Sequence, residues 1–463
     1  MLFDPFARRA DAQPDRPAIL QGKTVTDAAT LLAQARNLIP DLTAAGVGPG
    51  RPLVVSASNS AGTAAHVLAA WGAGAVPVFV SPHAPPDHLD HATAASHAGA
   101  VLTDAGLSPA PAADPHPDLG AETGSVVFTS GSTGRPKGVV QTAATLRDGA
   151  ERVARLVGYD ADDRILCPVP WSHDYGWGQL LSCLAIGVPL VLPELPSVQS
   201  LAEAAERHRP TVLAGTPSVF AGMLYGISDI RSMDLSSIRT ATSTGSRLPT
   251  ELAEDISGLL PGVRIFANYG LTETYRTACL RPEERAGRET SVGRAVEGVR
   301  LQIIGEDGQP VPTGTVGQVV HHGAGRFAFY LNDPERTART RTPDGGVLTG
   351  DLGSLDADGY LTLQGRRDRL IKSMDVQVSL DDVERVLGQA RMTRQLAAIA
   401  RPHKVIGMKI EVYAALLDPT TGPAFKRYAR QNLSKFQFPR EFHFVEAIPL
   451  TASGKVDYVS LSA

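Results

Sequence analysis

Cysteine is scarce in this sequence: Cys167, Cys183 and Cys279 are the only three in 463 residues. They are scattered, with no Cys-x-x-Cys and no histidine at ligand spacing. That excludes a disulfide framework and a structural zinc site, and it fits a reducing compartment. Long apolar runs are lacking too. The most hydrophobic stretch, residues 66–80, is broken by Gly72, Gly74 and Pro77 and is too short to span a bilayer. It predicts a buried helix running into a strand. The opening residues, Met1 to Arg9, have no uninterrupted apolar core of the signal-peptide kind. No basic run is present, and a net charge of −4 argues against nucleic acid or a membrane surface as partner. Together these absences predict a soluble, cytoplasmic protein.

What is present is ordinary globular material, 43% hydrophobic and 20% charged, in a chain long enough for two or three domains. Helical and strand patterns alternate from the start: 27–45 helix, 52–56 strand, 62–72 helix, 76–80 strand. Such alternation predicts an α/β fold with mostly parallel, buried strands. Residues 105–122, rich in Ala, Pro, Asp and Gly, read as a surface loop. Further on come a helix over 143–157, strands over 164–168 and 188–192, a helix ending at Arg207, and strands over 211–214, 239–243 and 264–267. From about Val299 the period changes to two, with Gly-rich turns, over 300–304, 317–321, 346–349 and 360–363, which predicts an antiparallel β subdomain. The charged run Gly365-Arg366-Arg367-Asp368-Arg369 has the character of a hinge. It predicts a large domain over 1–365 and a small, mobile α/β domain over 366–463. In the latter, Ser379 and Asp382 resemble a capping box opening a helix over 380–387.

Chemistry concentrates at a few junctions. The apolar run Val126-Val127-Phe128 leads into Thr129-Ser130-Gly131-Ser132-Thr133-Gly134-Arg135-Pro136-Lys137-Gly138. Glycines let backbone N–H groups converge on an anion while hydroxyls and Lys137 add donors, so the loop suits a phosphate; a polar hairpin turn is the plainer alternative. No Gly-Lys-Ser/Thr opens a helix after it, so it is not the P-loop of mononucleotide kinases. Pro170-Trp171-Ser172-His173-Asp174-Tyr175-Gly176 crowds aromatic, imidazole and carboxylate groups into one turn, as a small-molecule pocket does. His173 as a structural histidine and Asp174 as a helix N-cap stand equally open. Thr244-Gly245-Ser246 and Asn268-Tyr269-Gly270-Leu271-Thr272-Glu273 follow strands, where ligands of α/β sheets bind. Thr349-Gly350-Asp351 lies in the antiparallel region, and Ser453-Gly454-Lys455 sets a lysine on a Ser-Gly turn near the chain end.

In this order the five segments 129–138, 269–273, 349–351, 365–368 and 453–455 resemble the adenylate-forming superfamily: acyl- and aryl-CoA synthetases, nonribosomal adenylation domains and firefly luciferase. The resemblance covers nearly the whole chain. It implies ATP-dependent activation of a small carboxylic acid as an acyl-adenylate with release of pyrophosphate, then transfer to CoA or a carrier-protein thiol. An anion attacks an anion in that step. Two like unit charges at 4 Å repel by roughly 4 kcal/mol at an effective dielectric of 20, so positive charge and positioning are what the site must supply.

Carried over motif by motif, Thr129, Ser130, Gly131, Ser132, Thr133, Gly134 and Lys137 hold the β- and γ-phosphates. Gly245, Asn268, Tyr269 and Gly270 belong to the ATP/AMP site, with Tyr269 stacking on adenine. Thr272 contacts the α-phosphate and Glu273 binds Mg²⁺. Asp351, with Arg366 nearby, takes the ribose hydroxyls. Lys455 bridges the substrate carboxylate and the α-phosphate. Asp368 is the hinge about which the C-terminal domain swings. Trp171, His173, Asp174, Tyr175, Thr244 and Gly245 line the acid pocket, His173 gating access.

Two departures from the family pattern stand out. Thioester-forming relatives carry glycines after the position of Lys372, where this chain reads Ser373-Met374-Asp375-Val376. The added bulk and charge favour an acceptor other than a thiol: an amine, or an aryl amine receiving activated nitrite. Asp174 follows the pocket histidine, where a carboxylate in apolar surroundings needs a donor partner. That points to an aromatic acid or one bearing an amino or hydroxyl group. A catalytically inactive nucleotide-binding protein is the competing class, opposed by the presence of Lys455, Glu273 and Asp351.

Overall fold

The computed structural model describes residues 2–129, 136–226, 230–373, 376–403, 407–451 and 456–462. By compactness the chain falls into two units, Met1–Arg300 with His321–Val347, and Leu301–Val320 with Leu348–Ala463. The sequence boundary at residues 365 and 366 therefore lies inside the second unit.

The first unit carries two large sheets. In the seven-stranded sheet, Ala100–Thr103, Leu53–Ser56, Pro77–Phe79 and Thr123–Thr129 run parallel in that spatial order. These strands are buried almost throughout, which is why they read as continuous Val/Leu runs and not as alternating ones. Antiparallel strands finish both sides, Gly106–Pro109 on one and Lys137–Thr142 with Phe329–Tyr330 on the other. Among the elements beyond the sequence expectations, three are notable. The segment 105–122 opens with a strand. Lys137–Thr142 intervenes between the Gly-rich loop and the helix Ala143–Val157, making that loop a hairpin connection. The helix Phe3–Ala12 buries Phe6, Ala7 and Ala10.

The nine-stranded sheet holds the site. Its centre is six parallel strands, and Gly215, Ser243 and Ala267 align across the last three of them. The carboxyl ends of Val212–Gly215, Thr240–Ser243 and Arg264–Tyr269 thus open on one edge. Helices begin on side chains that satisfy their free N–H groups: Asp27 caps Ala28–Ala44, Ser60 caps Ala61–Gly72 and Thr142 caps Ala143–Val157. Among the described residues no helix is long and apolar enough to cross a membrane.

Most of the four-stranded sheet ordered Val299–Ile304, Gly317–Gly323, Val347–Leu355, Leu361–Arg366 falls in the second unit, its last pair antiparallel. A five-stranded sheet follows, built on the long antiparallel pair Thr393–His403 and Gly407–Leu416. The helix Leu380–Gly388 packs Val383 and Leu387 against it. Ser379 does cap this helix, accepting from Asp382 N–H, while the Asp382 carboxylate is taken up by Arg385 and Gln437.

Candidate active site

Thr129 and Lys137 face each other across the hairpin, so its connecting loop turns at the end of a buried strand. Ser130, Gly131, Ser132, Thr133 and Gly134 lie outside the described residues. Thr129 Oγ1 is buried without a hydrogen-bond partner among the described residues. Lys137 Nζ donates to Glu273 Oε1 at 2.6 Å, and Tyr330 donates its hydroxyl to the same oxygen at 2.6 Å. Glu273 is 8% exposed. Burial opposes its ionisation, but Lys137 and Tyr330 outweigh that and hold the carboxyl below the usual range. Glu273 Oε2 is engaged by no other side chain among the described residues, leaving one oxygen for a cation. Two further bonds pin this turn: Gln141 Nε2 to the Thr272 carbonyl at 3.0 Å and Phe327 N–H to the Glu273 carbonyl at 2.8 Å.

Beside it, the strand ends carry a polar edge. Asn268 donates its amide to the Ser243 and Phe266 carbonyls at 3.2 and 3.3 Å. Its Oδ1, and the Ser243 hydroxyl, are buried with no partner among the described residues. A buried acceptor left open costs free energy unless a ligand fills it. Thr244 Oγ1 bonds the Asn268 carbonyl at 3.2 Å, tying the two strand ends together. Gly245 has φ +92°, a conformation that favours glycine, and a Cβ there would lie 3.2 Å from Thr216 and 3.9 Å from the His173 ring. Gly270 is equally constrained, since a Cβ would meet the Tyr275 carbonyl oxygen at 2.8 Å. Tyr269 is buried at the end of its strand and Thr272 is half-buried in the turn.

In the pocket region His173 is the N-cap of the helix Asp174–Leu181, its Nδ1 accepting the Tyr175 N–H at 3.1 Å. Nε2 lies on the side of the ring that faces Gly245. Asp174 is not the cap. It is the first helical residue, its Oδ1 3.0 Å from His173 Nδ1. Tyr175 is a buried strut, donating its hydroxyl to the Thr242 carbonyl at 2.7 Å. Trp171 is buried as well. Its N–H is held by Asn59 Oδ1 at 3.0 Å, while Asn59 Nδ2 donates to the Val169 carbonyl at 2.9 Å.

The second unit gathers its own candidates. Arg366 Nη1 donates to the Thr349 carbonyl at 3.1 Å and to Asp351 at 3.3 Å, and Nε reaches Asp368 at 3.4 Å. Asp368 lies in the single turn Arg367–Arg369, half exposed. Lys455 with Ser453 and Gly454, and Met374 with Asp375, lie outside the described residues.

The sequence did not point to Tyr330, Asn59, Tyr275 or Arg276. Tyr275 and Arg276 lie just past the 268–273 motif, but nothing in their local sequence marks them. Tyr330 and Asn59 sit on distant elements without local signal.

A lysine from a hairpin holding a glutamate on a strand-end turn, beside an open amide acceptor, suits a site that receives a polyphosphate, a cation and a base at once. That is the class of adenylate-forming ligases. The AMP-binding enzyme family model matches residues 6–124 and 109–331, the model for the AMP-binding enzyme C-terminal domain matches residues 382–455, and the chain belongs to this family. It is an AMP-forming ligase, whose reaction is ATP-dependent formation of an acyl-adenylate. It is 28% identical to sulfoacetate–CoA ligase of Cupriavidus necator, over 99% of this chain and 98% of that protein. Indoleacetate–CoA ligase of Aromatoleum aromaticum is 30% identical over 73% of this chain and 67% of its own length. Among solved structures, amide bond synthetase McbA from Marinactinospora thermotolerans superposes with a TM-score of 0.86 at 26% identity, covering 100% of this chain and 99% of that one.

Proposed function

We propose that the chain activates a small carboxylic acid with ATP and passes the acyl group to an acceptor, in the first instance the thiol of CoA or of a carrier protein. The acid's carboxylate oxygen bonds to the α-phosphorus while the bond to the bridging oxygen breaks, and pyrophosphate leaves with the electron pair. The acceptor then attacks the acyl carbon, AMP leaves, and the acceptor's proton is lost to solvent. The observation that carries this reading is the Lys137–Glu273–Tyr330 cluster.

Lys137 turns to the β- and γ-phosphates with the hairpin loop, freeing Glu273 for Mg²⁺. The magnesium ion, when bound, spreads the phosphate charge that would otherwise repel the attacking carboxylate. Asn268 Oδ1 accepts the amino group of adenine, Tyr269 stacks on the ring, Thr272 contacts the α-phosphate, and Asp351 with Arg366 takes the ribose. His173 lines the pocket mouth and gates access to it. Lys455 bridges the acid and the α-phosphate, and residues 366–463 swing about Asp368 between the half-reactions.

For the acid we propose an aromatic, amino- or hydroxy-bearing compound met by Asp174. Unchanged discrimination between amino-bearing acids and their deaminated analogues in Asp174→Ala would remove that assignment. An amine acceptor is the second reading, supported by the full-length similarity to an amide bond synthetase. ATP–pyrophosphate exchange over a panel of acids, followed by mass analysis with CoA, amines or nitrite, tests both. Exchange with neither an acid nor nitrite would sink the ligase assignment for this chain.

A further inference from the structure

Arg276 is 7% exposed, and its Nη1 is buried with no hydrogen-bond partner among the described residues. Its guanidinium carbon lies 5.9 Å from the centre of the Tyr175 ring, on the first turn of the helix that His173 caps. Thr277, the next residue, points elsewhere, with Oγ1 2.8 Å from Thr274 Oγ1 and 3.1 Å from His321 Nδ1. The chain turns at Tyr275, φ +55°, just before Arg276. That backbone is fixed, because it passes under Gly270, where a Cβ would lie 3.2 Å from the Arg276 Cα.

The surroundings supply no counter-charge. Tyr159, Tyr175 and Tyr275 lie close enough to feel the guanidinium, yet burial pushes all three phenols up, so they stay neutral. Two nearby carboxylates are engaged by other cations, Asp148 by Arg152 at 2.8 Å and Asp163 by Arg239 at 2.7 Å. A buried cation facing only ring faces is costly, and cation–π contact offsets it in part. A planar guanidinium whose Nη1 has no partner among the described residues can donate to a carboxylate or sulfonate.

We propose that Arg276 receives a second anionic group on the acid being activated, so that the preferred substrates are dianions with a carboxylate or sulfonate beyond the reacting carboxylate. This rests on the adenylation reading and names its substrate class. One carboxylate goes to the α-phosphate and the other anion to Arg276. Asp174 is left to any donor group between them.

The test is ATP–pyrophosphate exchange on matched pairs: succinate against butyrate, 3-sulfopropionate against propionate, isophthalate against benzoate. The wild-type protein should favour the dianion of at least one pair by about 100-fold or more in kcat/KM, as expected where a polar site loses its partner group. Arg276→Met should collapse that ratio towards one, chiefly through KM, and Arg276→Lys should recover part of it. Preference for the monoanion in every pair would overturn the proposal, as would an equal loss with both members in Arg276→Met. If no acid supports exchange, the adenylation reading fails on its own. Calorimetric binding of the same dianions, without ATP, then decides the matter: wild-type binding lost in Arg276→Met sustains the site, and no wild-type binding overturns it. Should Arg276→Met fail to fold, Arg276→Lys in the same binding assay serves, with undiminished affinity for every dianion counting against the guanidinium contact.

Discussion

Lys137 and Glu273, 136 residues apart in the chain, meet at 2.6 Å, and Tyr330 closes on the same carboxylate oxygen. Each charge neutralises the other. Removing the lysine leaves a buried carboxylate with one hydroxyl for company. Because Lys137 is a quarter exposed, the cost falls below that of a fully buried pair. Lys137→Met is expected to lose about 1–3 kcal/mol in urea unfolding. Its exchange activity should fall by about 10²–10³, as when a transition-state donor is removed. Glu273→Gln should be milder in stability, since the amide is neutral, and severe in the magnesium dependence of exchange. Full stability with full activity in Lys137→Met would remove the cluster from the mechanism.

The same pair sets an acid limit. Glu273 titrates below the usual carboxylate range, so its contribution is present above the unfolded value of about 4.3 and is lost as pH falls through the folded value. In Lys137→Met the carboxyl loses its main counter-charge and its folded value rises towards or above the unfolded one, so the stability lost on acidification should shrink or reverse in melting curves taken from pH 3 to 6. Superimposable pH profiles for the two proteins would contradict this.

His321 sets a second limit in a different window. Its ring is buried, Nε2 donating to the Ala324 carbonyl at 2.8 Å, and burial lowers its pKa to about 4. The unfolded histidine binds a proton near 6.5, so the stability it confers is present above about 6.5 and lost as pH falls towards 4. The loss is of order 3 kcal/mol. In His321→Gln the stability difference between pH 7 and pH 5 should shrink, as read by chemical unfolding at each pH. An unchanged slope would place the protonation elsewhere.

Asn268 offers a test of the nucleotide. An open, buried Oδ1 prefers an amino group to a carbonyl, so ATP should bind better than ITP, which carries a 6-oxo group. One hydrogen bond of about 1–1.5 kcal/mol corresponds to about tenfold in affinity. Asn268→Ala should lower ATP affinity and abolish the discrimination in calorimetric titrations. Retained discrimination would assign the base contact to another group.

Much of this was visible in the sequence, for reasons particular to each element. The helix 143–157 was legible in the sequence, and the structure adds that Thr142 and Gly158 cap it. The parallel strands show as Val/Leu runs because both faces are buried. The strand Lys137–Thr142 was not visible, because a sequence cannot say whether a Gly-rich loop leads to a helix or back along its own sheet. The site motifs were legible where function is packed into consecutive residues, as in 268–273. Arg276 was not, although it lies three residues beyond Glu273, because its meaning comes from the missing counter-ion and not from its neighbours in the chain.

The position of the pocket helix depends on one contact that a paired substitution isolates. A Cβ on Gly176 would lie 2.2 Å from the Pro170 carbonyl oxygen and 2.5 Å from that of Val169, both backbone atoms that cannot step aside. A Cβ on Gly178, half a turn on, would meet only the Tyr275 hydroxyl at 3.4 Å, an ordinary contact. In a helix, alanine in place of glycine is intrinsically favourable by about 1 kcal/mol. Gly178→Ala should therefore be neutral or slightly stabilising. Gly176→Ala must push the first turn off the strand end, with a loss of at least about 1–3 kcal/mol, and must carry His173 and Tyr175 with it. Unfolding measurements give the stability difference, and KM for the acid shows whether the pocket moved. If both variants behave alike, the close approach to Pro170 is not what holds His173 against Gly245, and the gate ascribed to that ring loses its support.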